Sequence, residues 1–222
     1  MGQSETSLGG LLALCLAVAI PIAAAQAESA VPFELSQKFV TEHKVKSLVG
    51  PSVQVDEQGQ VSLAWMEEDK DMRSVLYARS TEPGGPMGAP VRINRPEDVP
   101  YWRQEAPALV VQGEDVFVTW GLAHPKATPQ QPFATELRLS RSTDGGKTFQ
   151  PSVAVNDDPG VIQHTFDALH RDADGRLHLS WIDGREGKKE PGTYVARSLD
   201  RGATITRNLK VDEGTCVCCR TA

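Results

Sequence analysis

The sequence has no excess of basic residues and no long run of like charge. Its 222 residues include 23 Lys and Arg against 29 Asp and Glu, which gives a formal net charge of −6. A nucleic-acid-binding protein usually presents a basic face, so this balance argues against nucleic acid as a partner. The lack of a charge run argues against a disordered charged tail. The length and the 40% hydrophobic content suffice for one globular domain with a buried core.

Cysteine is also scarce. Apart from Cys15, the cysteines are Cys216, Cys218 and Cys219, all within the last seven residues. An oxidising compartment would let them pair, but three is an odd number, so one partner lies elsewhere or one thiol stays free. A disulfide to a segment further along the chain, a vicinal disulfide and a soft-metal thiolate site all remain open. We favour a disulfide.

The N-terminus carries the one long uncharged apolar run of the chain. The run "LGGLLALCLAVAIPIAAA" leads into Ala25-Gln26-Ala27, a small-x-small site just before Glu28. This pattern predicts a secretory signal peptide over residues 1–27, with a lead-in over 28–47. The preceding "MGQSETS" has no Lys or Arg, which leaves an uncleaved anchor as the alternative. We therefore expect a secreted or periplasmic protein that has no stable membrane span once the signal peptide is cleaved after Ala27.

Three later segments share one pattern of strand, polar turn, strand and tryptophan. They are "VQVDEQGQVSLAW", "LVVQGEDVFVTW" and "LHRDADGRLHLSW". The alternation in "VSLAW", "VFVTW" and "LHLSW" has period two, which predicts half-buried strands. Because Trp65, Trp120 and Trp181 recur at the same place in the pattern, we predict that they pack between the repeats rather than stack on a sugar.

The remainder of each unit repeats as well. A third strand ends at Ser80, Ser142 and Ser198, at intervals of 62 and 56 residues, and a fourth ends at Asn94, Asn156 and Asp212 with the same intervals. Four short strands per unit predict an all-β fold of four-stranded antiparallel β-propeller blades. The expected blades span about 48–98, 104–158 and 163–214, with a fourth starting at 215–222. Because propellers close with about four to eight blades, we expect the chain to be C-terminally incomplete; ring closure by several chains is the alternative.

The segment after the third strand carries a shared motif. "STDGGKTF" fits the pattern Ser-x-Asp-x-Gly-x-Thr-aromatic throughout, "SLDRGATI" has Ile205 in place of the aromatic, and "STEPGGPM" has Glu82 and Pro86 in place of Asp and Thr. Neither the ligand spacing of a calcium loop nor the strand-to-helix context of a P-loop is present. The motif resembles the Asp box, the bacterial neuraminidase repeat of the sialidase superfamily.

The resemblance implies that the boxes are structural turns at the propeller perimeter. Asp would accept bonds from its own turn, Gly would supply a positive φ, and the hydroxyls would satisfy backbone groups. The box residues are Ser142, Asp144, Gly146 and Thr148, then Ser198, Asp200, Gly202 and Thr204.

A sialidase-like site implies three arginines that clamp a carboxylate, a Tyr–Glu nucleophile pair and an Asp acid/base. Arg92 of "VRIN" is in register with other fourth strands, so we interpret it as an ordinary strand residue. The candidate catalytic residues are Arg103, Asp183 and Arg185, and the candidate ligand-binding residues are Glu105, His164 and Asp167. For each of these, a bracing or capping role is the alternative, and we expect Tyr194 to serve packing.

Two functions follow from these observations. The resemblance implies a secreted propeller that recognises or processes a carbohydrate or another polar ligand in its central channel, as an exo-glycosidase of sialidase type if it is an enzyme. Alternatively it is a non-catalytic binding or scaffold protein, because a fold does not by itself determine a function. We expect no cofactor in either case.

Overall fold

The computed structural model describes residues 47–69, 72–101, 106–187 and 191–212. The regular elements in these ranges are β-strands. They are β1 (Ser47–Val55), β2 (Val61–Asp69), β3 (Met72–Arg79), β4 (Val91–Arg92), β5 (Ala108–Gln112), β6 (Asp115–Ala123), β7 (Thr135–Ser142), β8 (Val153–Ala154), β9 (His164–Arg171), β10 (Leu177–Asp183), β11 (Gly192–Ser198) and β12 (Leu209–Asp212).

The strands form three antiparallel sheets, each built from four consecutive strands. Blade 1 is β1–β4, blade 2 is β5–β8 and blade 3 is β9–β12. Each repeated tryptophan pairs across the sheet with the residue four positions before the serine that ends the third strand. These pairs are Trp65 with Leu76, Trp120 with Arg138, and Trp181 with Tyr194. The predicted fold class, an all-β protein of four-stranded propeller blades, is confirmed.

The first strands of neighbouring blades contact each other, β1 with β5 and β5 with β9. The fourth strands therefore lie at the outer side of each blade. Because the four strands of each blade run antiparallel, connections lie at both ends of the strands. We call these two sides of the blade the loop edge and the turn edge. The loop edge carries the start of the first strand, the connection between the second and third strands, and the end of the fourth. The turn edge carries the other two connections, including the box motifs of blades 2 and 3.

Two of the three repeated tryptophans pack between blades, as predicted, whereas Trp65 packs with Leu76 and Ala78 of its own blade. Trp120 of blade 2 is buried in one apolar cluster with Tyr77 and Val75 of blade 1. Trp181 of blade 3 is buried in a second cluster with Leu137 of blade 2. Burial of apolar surface contributes about 25 cal/mol per Å², so the large indole rings are major contributors to holding neighbouring sheets together.

The box glycine allows the next blade to approach closely. Gly146 has φ of 84°, and a Cβ there would lie 2.0 Å from Cε1 of Tyr77 in blade 1. Phe149 packs edge-on against the same ring, with centroids 5.5 Å apart. In blade 3, Gly202 approaches Leu139 in the corresponding way, and Ile205 packs against the cluster that contains Leu139. Ile205 thus takes in blade 3 the place that Phe149 takes in blade 2.

The box carboxylates accept hydrogen bonds from their own turns. Asp144 accepts from Thr148 N at 3.0 Å and from Thr148 Oγ1 at 2.6 Å. Asp200 accepts the same two bonds from Thr204, which together lower its pKa to about 2. Ser142 Oγ accepts from Gly146 N at 2.9 Å. These contacts close the turns, which leaves the carboxylates few free acceptor positions.

Several sequence predictions fall outside the described residues. They concern the signal peptide, the lead-in, the start of a fourth blade, Arg103, Glu105 and the three C-terminal cysteines. Arg92 lies on β4, in agreement with its interpretation as a strand residue. Within the described ranges, no helix has the length and apolar character needed to cross a membrane.

Candidate functional site

The candidate site lies on the loop edge of blade 3. Asp183 ends β10 and pairs across the sheet with His164, the first residue of β9. The connection from blade 2 carries Asp157 and Asp158 to the same place. The short connection after β10 adds Arg185. Strand pairing therefore brings together three of the residues predicted from the sequence, namely His164, Asp183 and Arg185.

Asp183 is fully buried and accepts four hydrogen bonds. Trp181 Nε1 donates to Oδ2 at 2.8 Å. Arg185 donates from its backbone N at 2.9 Å and from Nε at 3.1 Å to Oδ1, and from Nη2 at 2.8 Å to Oδ2. The guanidinium thus grips the carboxylate with two nitrogens, the fork geometry that favours Arg over Lys in buried pairs.

His164 is fully buried and lies between two blades. Its Nδ1 is 2.5 Å from Thr135 O in blade 2, and its Nε2 is 2.8 Å from Asp158 Oδ2 and 3.5 Å from Asp183 Oδ2. Both ring nitrogens therefore face acceptor oxygens, an arrangement that favours the imidazolium form. Burial alone would lower the pKa of His164, but the bond to Asp158 and the charge of Asp183 outweigh it and raise the pKa.

Asp158 is the matching anion. Burial pushes its pKa up, but the hydrogen bond and charge of His164 and the bond from Gly160 N dominate, so the pKa falls to about 2. Asp157 lies beside it with its side chain 41% exposed. The pKa of Asp157 is also lowered: burial is outweighed by bonds from Asn208 N and from the Arg185 guanidinium. Both carboxylates are therefore ionised at neutral pH.

Arg185 connects these groups. Its Nη1 donates to Asp157 Oδ1 at 2.8 Å and its Nη2 to Asn208 Oδ1 at 2.9 Å, and its guanidinium carbon lies 4.2 Å from the centroid of the Tyr194 ring. Burial would lower its pKa, but the bonds to Asp183 and Asp157 raise it. With its donors directed at protein oxygens, Arg185 braces the loop and is poorly placed to clamp a substrate carboxylate.

Tyr194 lies under Arg185 and stacks on Trp181, with ring centroids 6.3 Å apart. Its hydroxyl donates to Glu186 Oε1 at 2.9 Å, and Glu186 also pairs with Lys210. Burial and Glu186 raise the pKa of Tyr194. This hydrogen bond fixes the position of the Glu186 carboxylate. The bonds from Lys210 and Tyr194 lower the pKa of Glu186, which lies at the surface.

Asp158, His164 and Asp183 also have the residue types of a metal site, with one ligand atom of each within 4.8 Å of the others. Arg185 Nη2 lies 2.8 Å from Asp183 Oδ2 and 3.3 Å from Asp158 Oδ2. The cation of this cluster is therefore the guanidinium. Both nitrogens of His164 already face protein oxygens, which compete with a metal for the ring.

Sequence reasoning missed four members of this site: Asp157, Asp158, Glu186 and Asn208. The Asp-Asp-Pro-Gly run marks a turn, and only the fold shows which side chains meet there. Asp167, predicted as a ligand residue, lies on β9 and accepts a hydrogen bond from Thr119 of blade 2. Arg103 and Glu105 lie outside the described residues.

No protein-family model matches the chain, and no curated protein sequence matches it. Solved structures with a similar fold include an endo-arabinase from Bacteroides thetaiotaomicron VPI-5482, with 15% identity and a TM-score of 0.48, over 73% of this chain and 60% of that one. An α-L-arabinofuranosidase from Clostridium thermocellum has 12% identity and a TM-score of 0.48, over 75% and 54%. The NanB sialidase of Streptococcus pneumoniae, as its K499G mutant, has 11% identity and a TM-score of 0.46, over 71% and 22%. The chain spans less than two thirds of each.

Proposed function

We propose that the loop edge of this propeller binds a carbohydrate or a similar polyhydroxylated ligand. The observation that carries the proposal is the pair of exposed, ionised carboxylates that flank Arg185. The side chains of Asp157 and Glu186 are 41% and 45% exposed. Exposed carboxylate oxygens accept hydrogen bonds from sugar hydroxyls.

The buried part of the site supports this role by holding the exposed part in place. Asp183 and His164 are inaccessible to a ligand, but they position Arg185 and Asp158, and Tyr194 and Lys210 position Glu186. A binding site gains affinity when its polar groups are fixed in advance. We therefore assign Asp183 and His164 as positioning residues rather than as residues that touch the ligand.

Binding is favoured over hydrolysis for these three blades. A glycosidase needs a carboxylic acid whose pKa is raised so that it can protonate the leaving group. The pKa values of the three carboxylates at this site are instead lowered, those of Asp157, Asp158 and Glu186. An exo-glycosidase of sialidase type is the second candidate. It would have to draw its acid and nucleophile from residues other than these.

The binding proposal is tested by a glycan microarray probed with the full chain as it is secreted. We expect a defined set of glycans to bind. Glu186→Gln should weaken binding to them about tenfold, a loss of roughly 1.4 kcal/mol. Asp172→Asn, a change on the turn edge, is the matched control and should leave the pattern intact. No bound glycan, or an unchanged pattern with Glu186→Gln, would contradict the proposal.

Turnover is tested separately. The same protein is incubated with fluorogenic sialoside and α-L-arabinofuranoside, and release of the fluorophore is compared with a blank. If binding is the function of the chain, release stays at the blank level. Release well above blank that Glu186→Gln leaves unchanged would instead support the exo-glycosidase.

We also propose that the protein is secreted or periplasmic. The support is the apolar run and the small-x-small site that precede Glu28. N-terminal sequencing of protein recovered from the periplasm or medium should begin at Glu28. Recovery only from the cytosol, with Met1 retained, would overturn this.

A further inference from the structure

A cleft of about 360 Å³ opens on the turn edge between blades 1 and 2. One wall is the end of β3 with the connection that follows it, including Arg79 and Gly88. The other is the box turn of blade 2, including Gly145 and Lys147. This edge is opposite the site described above, so the cleft is a separate feature.

Arg79 is the polar centre of this cleft. Its Nη2 donates to Asp56 at 2.6 Å and its Nη1 to Gly113 O at 2.9 Å. The third donor, Nε, is buried and has no hydrogen-bond partner within the described part of the chain. A buried donor without an acceptor costs free energy, and an unsatisfied one in a native structure calls for an explanation.

Blade 2 shows one way in which this donor can be satisfied. Arg141 occupies the equivalent position, directly before the serine of its box, and its Nε donates to Gln150 Oε1 at 2.7 Å. Gln150 lies eight residues after its box serine, as Gly88 lies eight after Ser80. The backbone hydrogen bonds of the two positions also correspond. Gln150 N donates to Arg141 O at 2.9 Å, and Gly88 N donates to Arg79 O at 2.8 Å.

Blade 1 has Gly88 at the position of this carboxamide, and both Gly88 and Arg79 line the cleft. A ligand that fills the cleft must bring an acceptor oxygen to Arg79 Nε. Two further charged groups line the cleft: Lys147, which is exposed, and Glu114, whose carboxylate lies 4.0 Å from Arg79 Nη1. Gly145 makes room for that carboxylate, because a Cβ there would lie 2.6 Å from it.

We propose that this cleft binds a small hydroxycarboxylate. A ligand carboxylate would accept from Arg79 Nε and Lys147, since charge-assisted bonds are the stronger ones. A ligand hydroxyl would donate to Glu114. The volume lies at the low end of small-molecule sites, which suits a ligand of about six carbons.

The probe is sodium D-glucuronate, titrated into the full chain by isothermal titration calorimetry, with D-glucose as the neutral counterpart. We expect saturable binding of glucuronate and at least about tenfold weaker binding of glucose. No saturable binding of glucuronate, or equal affinity for both sugars, would overturn the proposal.

The variants follow from the comparison between blades. Gly88→Gln supplies the carboxamide that blade 2 already has, so it should weaken glucuronate binding at least about tenfold. Gly88→Ala is the matched control, because its Cβ makes the same 3.1 Å approach to Arg79 O without offering an acceptor. It should keep affinity within about threefold, and circular dichroism confirms that both variants fold.

The test is independent of the loop-edge site. Glu186→Gln should leave glucuronate affinity unchanged, whatever it does to glycan binding. Unchanged glucuronate binding in a folded Gly88→Gln variant would show that the ligand lies elsewhere. Loss of binding in Glu186→Gln would place it at the loop edge. Either result would refute the proposal that the turn-edge cleft binds the hydroxycarboxylate.

Discussion

Replacement of Asp183 by Asn tests whether the buried cluster positions the site. The change keeps the shape of the side chain but removes the charge and puts an NH₂ group where a carboxylate oxygen stood. Oδ2 now accepts from Trp181 Nε1 and Arg185 Nη2, and the amide nitrogen would face these two donors. Breaking a buried ion pair on one side costs about 3–5 kcal/mol. At 2–4 °C per kcal/mol for a chain of this size, Tm should fall by roughly 6–20 °C.

The matched control is Asp172→Asn on the turn edge. The Asp172 carboxylate also pairs with an arginine and a histidine, Arg176 and His178, but its side chain is 24% exposed. Water can replace the lost bonds there, so the fall in Tm should be much smaller. Thermal unfolding followed by circular dichroism measures both variants. An Asp183→Asn protein that melts within about 1 °C of the wild type but no longer binds glycan would refute the positioning role.

Three further outcomes are expected. Gly202→Ala should lower the free energy of unfolding by about 1–2 kcal/mol, because alanine is strained at its positive φ. Gly146→Ala should lower it by about 1–3 kcal/mol more, because the new Cβ meets Tyr77. Equal urea midpoints for the two variants would contradict that contact. The raised pKa of His164 adds stability that is fully present below about pH 6.5 and is lost as the pH rises through the pKa of the folded state. The free energy of unfolding in urea should therefore be lower at about pH 9 than at about pH 6, and His164→Gln should abolish this difference. A difference of the same size in His164→Gln would assign it to other groups. Asp144→Ala should lower Tm and leave glycan binding near the wild type; selective loss of binding in the folded variant would give Asp144 a direct role.

Much of the fold was predictable because it depends on local chemistry. Strand alternation is read over a few residues, and a box aspartate bonds to a threonine four residues further along. Ile205 was the one departure from the complete motif in blade 3. The structure shows that Ile205 still packs against the apolar cluster between blades 2 and 3, as Phe149 packs against Tyr77 of blade 1.

The candidate site was predictable only in part. Arg185 and Asp183 are close in sequence, and a bracing pair was one of the two expected roles. The rest depends on distant residues: Arg185 bonds to Asp157, 28 positions away, and Asp157 N bonds to Asn208 Oδ1, 51 positions away. No local pattern specifies such a pair, because it arises from the packing of one blade on the next.

The sequence by itself determined the blade repeat, the strand order and the turn chemistry, because each is a short-range property of the chain. Tertiary structure alone decided which charges neutralise each other and where a donor is left without a partner. The physical reason is that burial and inter-blade contact set the pKa values and the unsatisfied groups. Gly88 is unremarkable in the sequence; beside Gln150 in the neighbouring blade, it marks the place where an acceptor for Arg79 is missing.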